Sequence, residues 1–177
     1  RVRDYIDALN ERVVRDALTG FFNRRYIDER LPADIVWSAA NKRPLPALFL
    51  DIDDFKTIND ARGHVFGDSV IRDVAAEIAR LMPPGDGWAA RYGGDEFFIC
   101  LPGETEQRAA EAAEAIRAAV EAIASDGQPA GATVSVGLYV MDEQLTTPEE
   151  LIHLADRRMY EAKRLGKNRV SAQEKRN

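Results

Sequence analysis

Two apolar, strand-like runs at residues 88–92 and 96–101 flank the pair Gly93-Gly94. A glycine pair between two such runs is typical of a β-hairpin, because glycine tolerates the positive φ angles of a tight turn. Helix-like and strand-like segments alternate on both sides of this hairpin. That order indicates a single sheet covered by helices.

Other strands are predicted before and after the hairpin. Residues 45–53 form an apolar run that turns abruptly acidic at its end, which is typical of a buried strand leading to a polar site. Residues 132–140 form another run of this kind, and Val170 is expected to begin a short edge strand.

Helices are predicted from apolar periodicity and from their end signals. One should begin at Asn23, kink or break at Pro32, and resume to about Lys42, because proline removes a donor and clashes with the preceding turn. The last main helix should open with Thr147 as its cap and Pro148 at its first position. Further predicted limits are a stop at residues 83–85, an amphipathic helix over 109–123, and an end near Gly166.

Residues 1–15 have the spacing of a helical stalk. Val2, Ile6, Leu9 and Val13 lie four, three and four residues apart, which is the a/d pattern of a coiled coil. Two heptads also fit an amphipathic helix that packs on its own domain, so both readings stay open. The chain is divided accordingly into a stalk (1–15), a main domain (16–171) and a tail (172–177).

Charge and cysteine usage exclude some classes of protein. The formal net charge of −6 argues against a groove that binds nucleic acid by neutralising its phosphates. The single cysteine, Cys100, cannot form a disulfide within the chain and indicates a reducing compartment. No apolar run approaches a membrane span and no signal peptide is visible, so a cytoplasmic location is expected. The chain begins with Arg1, which suggests a longer protein that could be anchored in a membrane.

Acidic residues follow two of the predicted strands. Asp51 and Asp53 lie two apart on a strand and should share a face, where they could hold Mg²⁺ between them or remain solvated acids. Asp95 and Glu96 follow the glycine pair directly, which fits either an ordinary turn or a metal site. If the hairpin pairs beside the first strand, these acids converge into a cluster that suits two-metal phosphoryl transfer.

Nucleotide-binding groups are predicted in the next segment and near the C-terminus. Backbone amides at Asp54 and Phe55, at the start of a helix, could hold phosphate, with Lys56 as an added charge. Asn59 and Asp68 supply an amide and a carboxylate, which together match the donor and acceptor edge of guanine. Two further cations, at the end of the last helix, could reach a triphosphate or be simply solvated: Lys163 and Lys167.

Together these elements resemble the GGDEF-domain diguanylate cyclases over residues 15–171. The resemblance rests on motifs that occur in order at sensible spacing: Asp16-x-Leu18-Thr19-Gly20, Asn23-Arg24-Arg25, Asp51-Ile52-Asp53-x-Phe55-Lys56, Asn59-Asp60-x-x-Gly63-His64-x-x-Gly67-Asp68, Gly93-Gly94-Asp95-Glu96-Phe97, and Met159-Tyr160-x-Ala162-Lys163-x-x-Gly166-Lys167-Asn168.

The resemblance implies a fold and a set of residue roles. The fold would be of the α/β (α+β) class, a mostly antiparallel five-stranded sheet flanked by helices as in nucleotide cyclases and polymerase palms. The metal ligands would be Asp51, the Ile52 carbonyl, Asp95 and Glu96, and the catalytic residues Asp95, Glu96 and Lys56. The substrate-binding residues would be Asp54, Phe55, Asn59, Asp68, Gly93, Gly94, Lys163 and Lys167.

The resemblance also implies a reaction and its partners. Two domains, each holding one GTP and two Mg²⁺ ions (or Mn²⁺), would face each other as a homodimer and produce cyclic di-GMP and pyrophosphate. A sensory or receiver domain is expected upstream in the full-length protein, and no nucleic acid partner is expected. The dimer requirement favours the coiled-coil reading of the stalk.

Two departures from the family pattern matter. Phe21 replaces a leucine that is frequent in the family, which is a conservative apolar change. More important, the Arg-x-x-Asp of the family's product-inhibition site is absent, since Pro84 and Gly87 occupy the matching positions. No feedback inhibition through that site is therefore predicted.

Three alternatives remain beside the cyclase. A degenerate nucleotide sensor is disfavoured by the intact Asp51, Asp95 and Glu96. A cyclase that makes a mixed GMP–AMP product is disfavoured by Asp68, because in the family that activity goes with a smaller residue. A pure dimerisation module leaves the acid cluster unexplained.

Overall fold

A five-stranded sheet forms the centre of the structure, a computed structural model that describes residues 2–125, 127–141 and 146–173. The elements in chain order are α1 (Val2–Val14), α2 (Arg24–Asn41), β1 (Leu45–Ile52), α3 (Phe55–Arg62), α4 (His64–Leu81), β2 (Trp88–Arg91), β3 (Glu96–Cys100), α5 (Glu106–Glu121), β4 (Ala124–Ser125), β5 (Gln128–Pro129), β6 (Val134–Met141), α6 (Pro148–Arg164) and β7 (Arg169–Ala172).

The strands lie in the order β2-β3-β1-β6-β7, with β1 at the centre. β1 pairs antiparallel with β3 and with β6, and β2 pairs antiparallel with β3, whereas β7 lies parallel to β6. The predicted hairpin, the mostly antiparallel five-stranded sheet and the edge strand at Val170 are therefore confirmed. The small β4–β5 ribbon carries no strand-like run in the sequence and was not predicted.

Helices cover both faces of the sheet because β1 is buried on both. Leu48, Leu50 and Ile52 pack into one core with α4 and α5. Ala47 and Phe49 alternate with them and pack into a second core with α2 and α6. Asp51 shares the face of Phe49, so the β1 carboxylate points toward the side of the sheet that α6 covers.

Of the kink or break predicted at Pro32, the break is wrong, because α2 runs as one helix from Arg24 to Asn41. Pro32 cannot donate to the carbonyl of Asp28, but both residues are exposed, so water can satisfy that carbonyl. Leu31 and Ile35 are buried and hold the helix against the sheet.

The position of α6 depends on Gly137 in β6. A Cβ at this residue would lie 2.8 Å from the backbone carbon of Arg158 and would collide with backbone atoms of Ala155 and Met159. The helix can therefore approach the sheet only because position 137 has no side chain. The helix itself begins as predicted, since the Thr147 hydroxyl accepts a hydrogen bond from the amide of Glu150.

The first helix has its apolar residues in solvent. Val2, Ile6, Leu9 and Val13 are 74%, 50%, 43% and 46% exposed. The alternative of an amphipathic helix packed on its own domain through these residues is therefore not what the structure shows. Part of the tail assigned to residues 172–177, namely 174–177, lies outside the described residues.

Candidate active site

Three carboxylates meet where β1 ends and β3 begins. Asp51 lies opposite Glu96 in the β1–β3 register, and the amide of Ile52 donates to the carbonyl of Asp95 at 3.1 Å. This pairing brings oxygen atoms of Asp51, Asp95 and Glu96 within 4.8 Å of one another, and all three residues are half-buried. The sequence predicted that these acids would converge if the hairpin paired beside β1, and the structure shows both the pairing and the convergence.

The cluster carries more negative charge than its surroundings neutralise. Burial and then the nearby charge of Asp95 raise the pKa of Asp51 to about 6, although Lys163 opposes the shift from 3.1 Å. Burial and the charges of Asp51, Asp95 and Asp156 likewise raise the pKa of Glu96. Hard divalent cations such as Mg²⁺ and Mn²⁺ take oxygen ligands of this kind, so the donor set fits a metal ion.

Both glycines of the hairpin tip leave space beside the acids. A Cβ at Gly93 would lie 2.9 Å from Oε1 of Glu96, whereas a Cβ at Gly94 would meet nothing within 4 Å. The amides of Tyr92 and Gly93 both point to the carbonyl of Glu96, at 2.8 and 3.4 Å. The turn is therefore held by its backbone and open toward solvent at Gly94.

A second anchor of the hairpin comes from the segment that follows α1. Arg91 donates to the carbonyl of Gly94 at 2.7 Å and to the carboxylate of Asp16 at 3.2 Å. Asp16 also accepts hydrogen bonds from the amide and hydroxyl of Thr19, at 2.9 and 2.7 Å. The Asp16 motif contributed to the family resemblance, but no role was predicted for Asp16. In the structure Asp16 holds, through Arg91, the turn that carries Asp95 and Glu96.

The sequence predicted that Asp53 would either share a Mg²⁺ ion with Asp51 or be a solvated acid, and the structure shows a different environment. β1 ends at Ile52, and Asp53 turns inward to only 4% exposure. Its carboxylate accepts from the hydroxyls of Ser135 and Thr133, both at 2.7 Å, and from the amide of Asn168 at 3.0 Å. Burial raises the pKa of Asp53, but these hydrogen bonds outweigh burial and hold the pKa below its ordinary value. Asp53 is therefore neither a solvated acid nor part of the three-carboxylate cluster.

Groups suited to phosphate surround the start of α3. Asp54 precedes the helix in the left-handed region (φ 51°), and the first ladder bond runs from the Ile58 amide to Asp54, which leaves the earlier amides outside the ladder. Lys167 lies 2.7 Å from Asp54, and Lys163 lies between Asp51 and Asp53 at 3.1 and 3.3 Å. Lys56 is exposed in the first turn. The fold thus brings Asp54, Phe55, Lys163 and Lys167 to the edge of the acid cluster.

The predicted base-reading residues lie where α3 meets α4. Among the described residues, Oδ1 of Asn59 is the buried side-chain polar atom that has no hydrogen-bond partner. Gly67 lies directly against it, since a Cβ at Gly67 would collide with that oxygen. Asp68 follows and is exposed. A buried acceptor without a partner costs free energy in the free protein and is a signal of a missing ligand group.

Sequence reasoning missed one acid of this region. Asp156 in α6 contributes to the raised pKa of Glu96, and burial raises its own pKa. The sequence offered one clue to this residue: Asp156 lies seven residues before Lys163. Seven residues are about two helical turns, so the two side chains share one face of α6.

The positions that match a product-inhibition site lie between α4 and β2. Pro84 and Gly87 line a cleft of about 270 Å³ together with Trp37 and Arg43. A Cβ at Gly87 would lie 2.8 Å from Cδ2 of Leu101, so this position leaves little room for a side chain.

This chain is similar to known proteins over nearly its whole length. Residues 13–169 match the sequence profile of the family described as diguanylate cyclase, GGDEF domain. The probable diguanylate cyclase DgcT of Escherichia coli (strain K12) is 39% identical over 160 residues, which is 88% of this chain and 35% of DgcT. The response regulator PleD of Caulobacter vibrioides is 36% identical over 173 residues, which is 96% of this chain and 38% of PleD. The chain thus spans between about a third and two-fifths of the length of these relatives.

A solved structure shares the architecture. The coiled coil and GGDEF domain of DgcB from Caulobacter crescentus, in complex with c-di-GMP, superposes with a TM-score of 0.90 at 33% sequence identity. The match covers 98% of this chain and 92% of that one, so it includes the helix that precedes the sheet.

Proposed function

Because this chain belongs to the GGDEF-domain diguanylate cyclase family, we propose that it condenses two GTP molecules into cyclic di-GMP. The observation that carries the proposal is the convergence of Asp51, Asp95 and Glu96 beside the ammonium group of Lys163. Carboxylates that a metal can bridge, next to cations that phosphate can contact, are the parts that phosphoryl transfer requires.

Members of this family are metal-dependent, and the three-carboxylate cluster fits a divalent ion. We assign Asp51, Asp95, Glu96 and the carbonyl of Ile52 as the residues that hold Mg²⁺, with two ions per site and Mn²⁺ as a substitute. When bound, the metal neutralises charge that develops on the phosphate oxygens.

In the proposed reaction the 3′-oxygen of one GTP forms a bond to the α-phosphorus of the other. The bond from that phosphorus to the bridging oxygen breaks, and pyrophosphate leaves with the electron pair. The 3′-hydroxyl loses its proton to Glu96 or to water as the new bond forms. The same step with the roles exchanged closes the ring.

The remaining assigned residues bind and orient the substrate. Lys163, Lys167 and Lys56, with the free amides at Phe55, would hold the phosphates. Gly93 and Gly94 let the nucleotide lie against the hairpin. Asn59 and Asp68 would read guanine, whose N1–H and 2-amino group form a donor pair that the Asp68 carboxylate and the partnerless Oδ1 of Asn59 can accept. Adenine lacks that donor pair and would leave Asp68 unpaired.

Turnover by this scheme needs two copies of the chain, because one domain holds only one of the two substrates. α1 offers a surface for pairing, since its a/d residues Val2, Ile6, Leu9 and Val13 are exposed along one helix. We therefore propose a homodimer in which residues 1–15 form the coiled-coil stalk and residues 16–171 the catalytic domain.

The regulatory context follows from the length of the relatives. We propose that a sensory or receiver domain controls this domain in the full-length protein and that the domain works in the cytoplasm, where Cys100 stays a buried free thiol. None of the helices in the described part of the chain combines the length and the apolar character needed to cross a bilayer.

The test is product identification by mass spectrometry after incubation with GTP and Mg²⁺, with and without ATP, on a sample whose dimeric state has been measured by light scattering. Cyclic di-GMP is the expected product, and Asp95→Ala and Glu96→Ala should each remove it. Glu111→Ala, at an exposed acid on α5, is the matched control and should retain activity. A dimeric sample that makes no cyclic di-GMP would sink the proposal.

A further inference from the structure

The turn between α6 and β7 adopts a conformation that its residues do not prefer. Lys167 and Asn168 are consecutive non-glycine residues in the left-handed region, with φ of 63° and 46°. Asn tolerates this region better than most residues, but a lysine is uncommon there and persists only where the surrounding structure imposes the conformation. Neighbouring residues therefore hold the turn in place, and the turn carries Lys167, one of the three lysines assigned to the phosphates.

Two hydrogen bonds hold Asn168 at the site, beside a further side-chain hydrogen bond with Glu121 on α5. Its backbone amide donates to Oδ2 of the buried Asp53 at 3.0 Å, and its side-chain Oδ1 accepts from Nη1 of Arg117 at 2.8 Å. The backbone contact ties the turn to the end of β1. The side-chain contact ties the turn to α5, a helix that supplies no other residue of the site.

Arg117 is well suited to fix a neighbour in space. Its side chain is only 16% exposed and is itself clamped by Glu114 and Glu121, each with a contact of 2.7 Å. A guanidinium has a rigid fork of donors, so two carboxylates that fix the fork also fix the remaining donor that reaches Asn168.

Asp53 links this turn to the second phosphate lysine. The carboxylate that accepts from Asn168 also accepts from Lys163 at 3.3 Å, and it is anchored by the hydroxyls of Ser135 and Thr133 at 2.7 Å. Displacement of Asn168 would thus remove one of the two donors to Oδ2 of Asp53, leaving only Thr133 there, and would move Lys167 relative to Lys163.

We propose that Arg117 is a positioning residue, which acts through Asn168 and Asp53 to set the spacing of the Lys163 and Lys167 ammonium groups on the substrate's phosphates. This inference rests on the proposed role of the two lysines in binding GTP. Arg117 touches no substrate in this scheme, and its effect should appear in the recognition of the triphosphate and not of the base.

The test compares two ligands that differ in their phosphates. 3′-Deoxy-GTP carries the triphosphate but lacks the attacking hydroxyl, so its binding can be measured without turnover, and GMP lacks the β- and γ-phosphates. Binding of both, with Mg²⁺, is measured calorimetrically for the parent chain, Arg117→Ala, Asn168→Gly and the double variant. Glycine at 168 keeps the backbone amide and the left-handed conformation but removes the side-chain contacts to Arg117 and Glu121.

Arg117→Ala should weaken 3′-deoxy-GTP binding roughly tenfold, because misplacement of binding groups by about 1 Å is costly, while GMP binding changes by less than about twofold. Asn168→Gly should show the same selective loss, and the double variant should be no worse than either single one, as expected for residues that act as a unit. Arg80→Ala is the matched control, because Arg80 pairs with Glu77 in the same i, i+3 manner on α4 but is 62% exposed. It should bind both ligands normally.

Lys163→Met and Lys167→Met separate failure of this inference from failure of the proposed function. If these variants weaken 3′-deoxy-GTP binding but Arg117→Ala does not, the positioning role is wrong and the phosphate assignment stands. If neither lysine matters, the phosphate assignment and this inference both fall. Equal losses for 3′-deoxy-GTP and GMP in Arg117→Ala would indicate general damage to the fold and would also overturn the positioning role.

Discussion

Arg91 and Asp16 lie 75 residues apart in the chain and form an ion pair with Nη1 and Oδ1 separated by 3.2 Å. Both side chains are about four-fifths buried, at 18% and 20% exposure. Since Arg91 also donates to the carbonyl of Gly94, the segment after α1 holds the turn that presents Asp95 and Glu96. The segment between α1 and α2 is thus in direct contact with the hairpin that carries Asp95 and Glu96.

Replacing Arg91 by lysine should loosen this turn. An ammonium cannot bridge the Gly94 carbonyl and Asp16 as a guanidinium fork does, so Arg91→Lys should cost about 1–2 kcal/mol in stability and reduce kcat about tenfold. Chemical denaturation and initial rates of cyclic di-GMP formation measure the two effects. Arg25→Lys is the control, because Arg25 pairs with Glu29 at an exposed site and should affect neither quantity. Unchanged kcat in Arg91→Lys would contradict a role for this anchor.

Removal of the Asp51 charge should stabilise the metal-free protein while it abolishes activity. A pKa of about 6 means that the ionised form, dominant at neutral pH, is disfavoured by the fold. Asp51→Asn should therefore raise the free energy of unfolding at pH 7 by about 1–2 kcal/mol in the presence of a chelator. Asp60→Asn, at an exposed acid of α3, should change it by less than about 0.5 kcal/mol. A destabilised Asp51→Asn protein would show that the pair with Lys163 outweighs the repulsion from Asp95.

The stabilising effect of Mg²⁺ should depend on pH through the same group. Because the pKa of Asp51 is raised above 3.8 in the folded state, its favourable contribution to stability is complete below about pH 4 and is lost as pH rises through about 6. The metal requires the ionised carboxylate, so the increase in melting temperature caused by Mg²⁺ should grow from about pH 5 to about pH 7. Thermal melts with and without Mg²⁺ across this range measure it. A pH-independent increase would mean that Asp51 is not a ligand.

Replacement by alanine should lower the stability of the protein at Gly137 but should affect substrate binding, and not stability, at Gly94. Gly137→Ala should cost about 1–3 kcal/mol or more in stability, because the new Cβ meets the backbone of α6 and a helix backbone cannot yield as a side chain can. Gly94→Ala should leave stability unchanged, since nothing lies within 4 Å, yet impair substrate binding at the hairpin tip. Denaturation curves and the KM for GTP distinguish the two cases. Normal stability of Gly137→Ala would contradict the close contact between α6 and β6.

Product inhibition should be absent at the loop before β2. Pro84 and Gly87 offer no charged side chain to cyclic di-GMP, so progress curves should not slow when micromolar product is added. Calorimetric titration with cyclic di-GMP checks this directly. Sub-micromolar binding that GTP does not compete for would contradict the prediction. The double change Pro84→Arg and Gly87→Asp should restore inhibition only weakly, because a side chain at 87 meets Leu101 at 2.8 Å.

Much of the fold could be predicted because the local signals agreed with the tertiary environment. The glycine pair, the Thr147 cap and the apolar run of β1 each specify a local conformation that packing then preserved. Pro32 failed as a helix breaker because the carbonyl that it leaves unpaired is exposed to water, and exposure is a property of the whole fold. Gly137 gave no signal at all, since a glycine in a strand does not reveal which helix will cross it.

The sequence by itself determined which chemical groups this protein has and near which elements they lie: the acids at the end of β1 and in the hairpin, the amide of α3 and the acid of α4, and the lysines at and just after the end of α6. Only the tertiary structure decided which of them act together. Asp51 and Asp53 are the same residue type two positions apart, yet one joins the acid cluster and the other is buried under four donors. The reason is that charge and hydrogen bonding act over a few ångströms in space, and those neighbours come from β3, β6, α6 and the turn before β7, which the chain brings together only on folding.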